Sequence, residues 1–119
     1  MREKILAFGC EGIAPLLGMT FAPCGAAVEL VPEEALGLTL GALAEAETLP
    51  RTAKGERVGE PMLVFCGVTD ARMDRLLAAM QRTGLRIPYK AVLTAKNRAW
   101  KPAQLLAALR RERAALGGR

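Results

Sequence analysis

Apolar and polar positions fall into blocks that predict four strands, each followed by a helix. Lys4-Ile-Leu-Ala-Phe-Gly9 is a short apolar run with Gly at its exit, the pattern of a buried strand. Ile13-Ala-Pro-Leu-Leu-Gly-Met19 predicts a short helix with Pro15 in its first turn. Ala26–Val31 predicts a second strand. Pro32-Glu33-Glu34 then opens a helix, since Pro presets the backbone and the acids suit the positive end of the dipole. Leu36, Leu40 and Leu43 continue that helix at helical spacing.

Residues 45–60 break the pattern. Their charges alternate in sign around Pro50, Gly55 and Gly59, which predicts a long polar loop, mobile rather than functional. Met62-Leu-Val-Phe-Cys66 is the clearest strand. Thr69 or Asp70 caps the next helix, where Met73, Leu76, Leu77 and Met80 form one face and Gly84 ends it. Ala91–Thr94 predicts a fourth strand, and Pro102 opens a last helix with Leu105, Leu106 and Leu109 on one side.

The order strand-helix thus occurs four times, and it repeats. Ala7-Phe-Gly-Cys10 echoes Val64-Phe-Cys-Gly67, an offset of 57, and Ala27-Val28 echoes Ala91-Val92. The expectation is one α/β domain over residues 1–119: a first β-α-β-α half at 1–44, the polar loop at 45–60, and a second half at 61–119. Such alternation favours a four-stranded, mostly parallel sheet. Right-handed crossovers give the order 2-1-3-4, with the first and last helices on one face. The alternative is a ferredoxin-like α+β sheet, in which the long loop turns the chain round.

At 119 residues and 51% apolar, the chain can bury about two-thirds of its unfolded surface and needs no staples. It has no His, which excludes Ser-His and Cys-His catalysis and histidine metal sites. Cys10, Cys24 and Cys66 are odd in number and lack a C-x-x-C, so neither a disulfide framework nor a zinc site is indicated. The longest uncharged stretch, Gly12–Val28, is seventeen residues interrupted by Pro15 and Pro23, too short and broken for a membrane span. A cytoplasmic, reduced protein is expected, with no cofactor, metal or catalytic residue assigned.

Charge is divided between the halves. Residues 1–60 carry five Lys/Arg against nine Glu, and residues 61–119 carry twelve against three acids, so the halves sum to −4 and +9. The basic half could meet an anionic partner, and opposite halves could attract.

Three candidate sites follow. In a parallel sheet the crevice at the carboxyl ends of strands 1 and 3 would bring together Gly9, Cys10, Glu11 and Gly12 with Cys66, Gly67, Thr69 and Asp70. Cys10 and Cys66 would be the thiols of any redox or nucleophilic chemistry there, against the plainer reading of turn glycines and small buried residues. Second, Lys90, Thr94, Lys96, Asn97, Arg98, Trp100 and Lys101 gather four cations and an indole before a helix N-terminus, the chemistry of an anion site. The plainer reading is an ordered loop with a packed Trp, and nucleic acid is disfavoured because acids alternate with bases along the third helix. Third, the first helix has no polar face, Thr20 being the only hydroxyl between Gly12 and Val28, and the second has no charge from Ala35 to Ala44. Helices apolar all round are covered on all sides, so this half is expected to meet another copy or a protein partner.

Leu63-Val-Phe-Cys-Gly67, Asp70, Leu76-Leu77, Gly84, Pro88, Lys90-Ala-Val-Leu-Thr94, Asn97, Trp100 and Pro102 resemble an uncharacterised bacterial family of short proteins, domain-of-unknown-function family 3783, over residues 61–112. The first half resembles it loosely, through a Leu-x-x-x-Leu-Gly-x-Leu pattern ending at Leu43. The resemblance implies no activity, but directs attention to Lys90, Thr94, Asn97 and Trp100. Lys101 departs from it, since a hydroxyl residue is expected to cap the last helix. The resulting expectation is a non-catalytic binding or interaction module that self-associates. Its alternatives are anion or nucleic-acid binding through residues 90–101, and thiol-dependent chemistry at Cys10 and Cys66.

Overall fold

A computed structural model describes residues 2–117. Met1, Gly118 and Arg119, the ends of the expected domain, lie outside the described residues. The strands are β1 (Lys4–Phe8), β2 (Val28–Leu30), β3 (Met62–Cys66) and β4 (Tyr89–Val92). The helices are α1 (Ala14–Phe21), α2 (Leu40–Glu45), α3 (Asp70–Thr83) and α4 (Pro102–Gly117). Helix α2 is shorter than its leucine spacing suggests. Pro32 opens only a single 3-10 turn at Glu33–Ala35, and the helix starts afresh at Thr39, whose hydroxyl accepts the Ala42 N–H at 3.2 Å.

The sheet has the order β2-β1-β3-β4. Its outer pairings, β1 with β2 and β3 with β4, are parallel, so the sheet is mostly parallel as expected. The central pair is antiparallel, with Lys4 opposite Cys66, Leu6 opposite Val64 and Phe8 opposite Met62. The polar 45–60 segment does turn the chain round, but only between the halves.

That reversal changes which helices share a face. The second half is the first rotated by half a turn about an axis through the Leu6–Val64 pair. Rotation about the sheet normal keeps faces, so α1 and α3 share one side and α2 and α4 the other, rather than first with last. Ile5, Ala7, Leu63 and Phe65 pack with Leu17, Phe21, Leu76 and Met80 on the α1/α3 side. Leu6, Phe8, Met62 and Val64 pack with Leu40, Leu43, Leu105 and Leu106 on the other. The duplication extends to the backbone: Gly9 and Gly67 leave their strands at φ of 65° and 64°, and Gly25 and Gly84 follow their helices at 68° and 74°. The spatial offset at the strands is therefore 58 residues, one more than the sequence echo.

Polar anchors join the layers. Glu3 accepts two hydrogen bonds from Arg72 of α3, at 2.9 and 2.7 Å, and this pairing holds the Glu3 carboxyl below its ordinary range. Lys4 Nζ donates to the Leu43 and Ala46 carbonyls at 3.2 and 2.8 Å and pairs with Glu29 at 2.9 Å, which places a cation on the C-terminal end of α2. Thr20, the hydroxyl of the uncharged run, is buried and meets the Thr83 hydroxyl at 2.6 Å across α1 and α3.

The 45–60 segment is a docked strap rather than a free loop. Ala53 donates its N–H to the Glu34 carbonyl at 2.8 Å, and Gly37 donates to the Ala53 carbonyl. Val58 is 9% exposed and Leu49 packs on the α2/α4 core. Leu40 and Leu43 of α2 are buried in the α2/α4 core, and the 97–100 turn packs on the start of the helix, where Leu40 donates its N–H to the Trp100 carbonyl.

Candidate functional site

The antiparallel centre separates the two sides of the expected crevice. Gly9, Cys10, Glu11 and Gly12 follow β1 at the end where β3 begins, whereas Cys66, Gly67, Thr69 and Asp70 leave β3 at the other end. The two cysteines also lie on opposite faces, Cys10 with the α1/α3 core and Cys66 with the α2/α4 core. Thr69 caps α3, its hydroxyl accepting the Arg72 N–H at 3.2 Å. Gly9 is passed closely by the strap, whose Glu60 carbonyl would lie 3.0 Å from a Cβ there.

Both thiols lie away from the surface. Cys10 and Cys66 are fully buried, and loss of hydration pushes each up to about 11, since the thiolate loses more by leaving water than the thiol does. In the native protein at pH 8, iodoacetamide is expected to label the half-buried Cys24 first and the other two only as the chain opens. Mass mapping of the labelled peptides against time checks this; labelling of Cys10 at the rate of a free thiol would contradict it.

The basic loop is brought together, but as a structural turn. Asn97, 8% exposed, accepts the Thr94 N–H at 2.8 Å through Oδ1 and donates through Nδ2 to the Val92 carbonyl at 3.0 Å. Its own N–H goes to the Thr94 hydroxyl at 3.1 Å. Arg98 pairs with Glu45 of α2 at 2.7 Å, and Lys96 lies 6.0 Å from the Trp100 ring centre. Trp100 packs against the α2/α4 core, and its carbonyl accepts the Leu40 N–H at 2.8 Å. Thr94 and Asn97 are thus occupied within the turn, while Arg98 and the Trp100 carbonyl bind it to α2. Gln104 makes the reciprocal half of a capping box, its Oε1 accepting the Lys101 N–H at 2.8 Å, and its own N–H goes to the Lys101 carbonyl at 3.0 Å.

Lys90 faces elsewhere. With Arg86 and Arg113 it lines a concavity of about 760 Å³ between the end of α3, the Leu85–Pro88 turn and α4. Met80, Leu85 and Ile87, all buried, form its floor, and no carboxylate lines it. Lys90 Nζ donates to the Ile87 carbonyl at 2.7 Å, and Arg113 reaches the Pro88 carbonyl at 3.4 Å while lying 5.7 Å from the Tyr89 ring centre. The sequence hid this grouping because Arg86 and Arg113 are distant in the chain and Leu77, on the concavity's wall, has the spacing of a core residue yet is 37% exposed. Among the described residues no cluster of three His, Cys, Asp or Glu could hold a metal ion, and no helix is long and apolar enough to cross a membrane.

Fold and site together define a duplicated β-α-β-α domain of the α/β class. Residues 61–116, from the start of β3 into α4, match the model of the family DUF3783, a domain of unknown function and the family that Lys90–Thr94, Asn97 and Trp100 resemble. No curated protein and no solved structure matches the chain.

Proposed function

We propose that this chain is a non-catalytic interaction module that self-associates through the outer face of its amino-terminal half, in a reducing, cytoplasmic setting. The observation that carries this reading is the solvent side of α1. Pro15, Gly18, Met19, Ala22 and Pro23 are all exposed there, without a charge between Gly12 and Val28, and Met19 is 67% exposed. The face continues to β2, an outer strand of the sheet, where Leu30 is 39% exposed. Scattered exposed apolar residues are ordinary, but an uncharged helix face beside an unpaired strand edge joins two surfaces that water serves poorly. Binding needs no general base, and the thiols that would supply a nucleophile are buried.

Light scattering over a range of concentrations tests the reading. A dimer is expected, with Met19→Glu weakening it by about tenfold or more because a carboxylate would be desolvated in the contact. Met19 is exposed, so the melting temperature of the dissociated protein should be unaltered. A monomer at every concentration would refute self-association.

A further inference from the structure

The concavity beside β4 uses none of the α1 residues. It adjoins a second basin of about 450 Å³, lined by Leu109, Glu112 and Leu116, and the two share Pro88, Lys90 and Arg113. The pair of basins forms one trough across the second half. Cations occupy its middle; apolar side chains lie on both sides of them, Leu77, Leu85 and Ile87 on one and Leu109 and Leu116 on the other. We propose that this trough is a docking site for an acidic peptide segment whose carboxylates are flanked by apolar side chains.

Charge complementarity selects the partner. Among the described residues Arg86, Lys90 and Arg113 make no ion pair, and the single carboxylate of the trough, Glu112, lies in the outer basin. Lys90 and Arg113 are each steadied on a backbone carbonyl but retain further N–H donors, so a carboxylate would meet oriented cations at small entropic cost. The exposed Leu77 and Leu116, 37% and 62% accessible, offer apolar contact that a bare anion would not use. A nucleic acid fits less well. Tyr89 is the aromatic side chain at the trough, and it is half-buried with Arg113 over its ring, so no stacking platform is presented.

The test is fluorescence anisotropy on the full chain with a short fluorescein-labelled peptide of alternating Leu and Glu. Binding is expected, with the Leu–Gln peptide and polyglutamate each weaker by about tenfold or more. Arg86→Glu combined with Lys90→Glu should weaken the Leu–Glu peptide by a similar factor; because Lys90→Glu also removes the hydrogen bond to the Ile87 carbonyl, Arg86→Glu alone, at an exposed side chain, is the variant that should weaken binding with the melting temperature preserved. Leu77→Asp should do the same without removing a cation. Met19→Glu should leave peptide binding unchanged, which separates this site from the self-association face. Equal binding of polyglutamate, tighter binding of oligothymidylate, indifference to the trough variants or no binding at all would each overturn the proposal.

Discussion

Replacing Gly55 with Val is expected to release the strap and lower stability by about 2–4 kcal/mol, a fall of about 10 °C in melting temperature. A Cβ at Gly55 would lie 2.6 Å from the Leu36 carbonyl carbon and oxygen, and one at Gly37 would lie 2.6 Å from the Ala53 oxygen. These are backbone atoms on both sides, so no rotamer change relieves the overlap. The strap must lift, losing the Gly37–Ala53 and Ala53–Glu34 hydrogen bonds and the burial of Val58. Trypsin would then cut faster at Arg51, Lys54 and Arg57 in the same segment. Gly59→Ala is the control, because nothing lies within 4 Å of a Cβ there. Unchanged melting and unchanged cleavage in the Gly55 variant would show that the strap is not docked.

Asn97→Ala should cost about 2–3 kcal/mol, since it leaves the Thr94 N–H and the Val92 carbonyl without their side-chain partner. The effect should extend beyond the turn. Residues 97–100 hold α2 through the Trp100–Leu40 hydrogen bond, the Arg98–Glu45 pair and the close approach of Arg98 to Gly41. Asn97→Asp is informative: it keeps an acceptor for Thr94 but turns a carboxylate oxygen toward the Val92 carbonyl. It should be destabilised at neutral pH and recover in part in acid, where the protonated carboxyl can donate to that carbonyl. Circular dichroism melts over pH check both variants. An Asn97→Ala protein that melts like the parent would place this residue on a binding surface instead of in a structural turn.

The candidate sites were unevenly legible. The 94–100 part of the 90–101 constellation is real as a spatial cluster, because it lies in one short segment and Thr94 and Asn97 stand three residues apart, whereas Lys90 faces the concavity beside α3. Its role was not legible, because hydrogen-bond partners such as the Val92 carbonyl and the α2 N-terminus are backbone atoms that composition does not reveal. The crevice failed for a geometric reason: reversing one central strand sends its exit to the other end of the sheet, and every residue placed there by analogy moves with it. The leucines of the second helix suggest an exposed apolar surface, and the tertiary structure buries Leu40 and Leu43 in the α2/α4 core instead.

Local chemistry by itself determined the strands at Lys4–Phe8 and Met62–Cys66, a cap at Thr69 or Asp70 that the structure assigns to Thr69, the end of α3 at Gly84 and the opening of α4 at Pro102, because each depends on neighbours within one or two turns. The twofold repeat of β-α-β-α was equally present in the order of elements, and handedness then sufficed for the strand order. The direction of β3 against β1 was left to the tertiary structure. A buried central strand is apolar on both faces, so its side chains suit parallel and antiparallel neighbours alike, and a sixteen-residue connection is long enough for either. The decision falls to contacts distant in sequence: the seat of the strap on Glu34 and Gly37, the meeting of Glu3 with Arg72, and the assembly of Arg86, Lys90 and Arg113 beside β4.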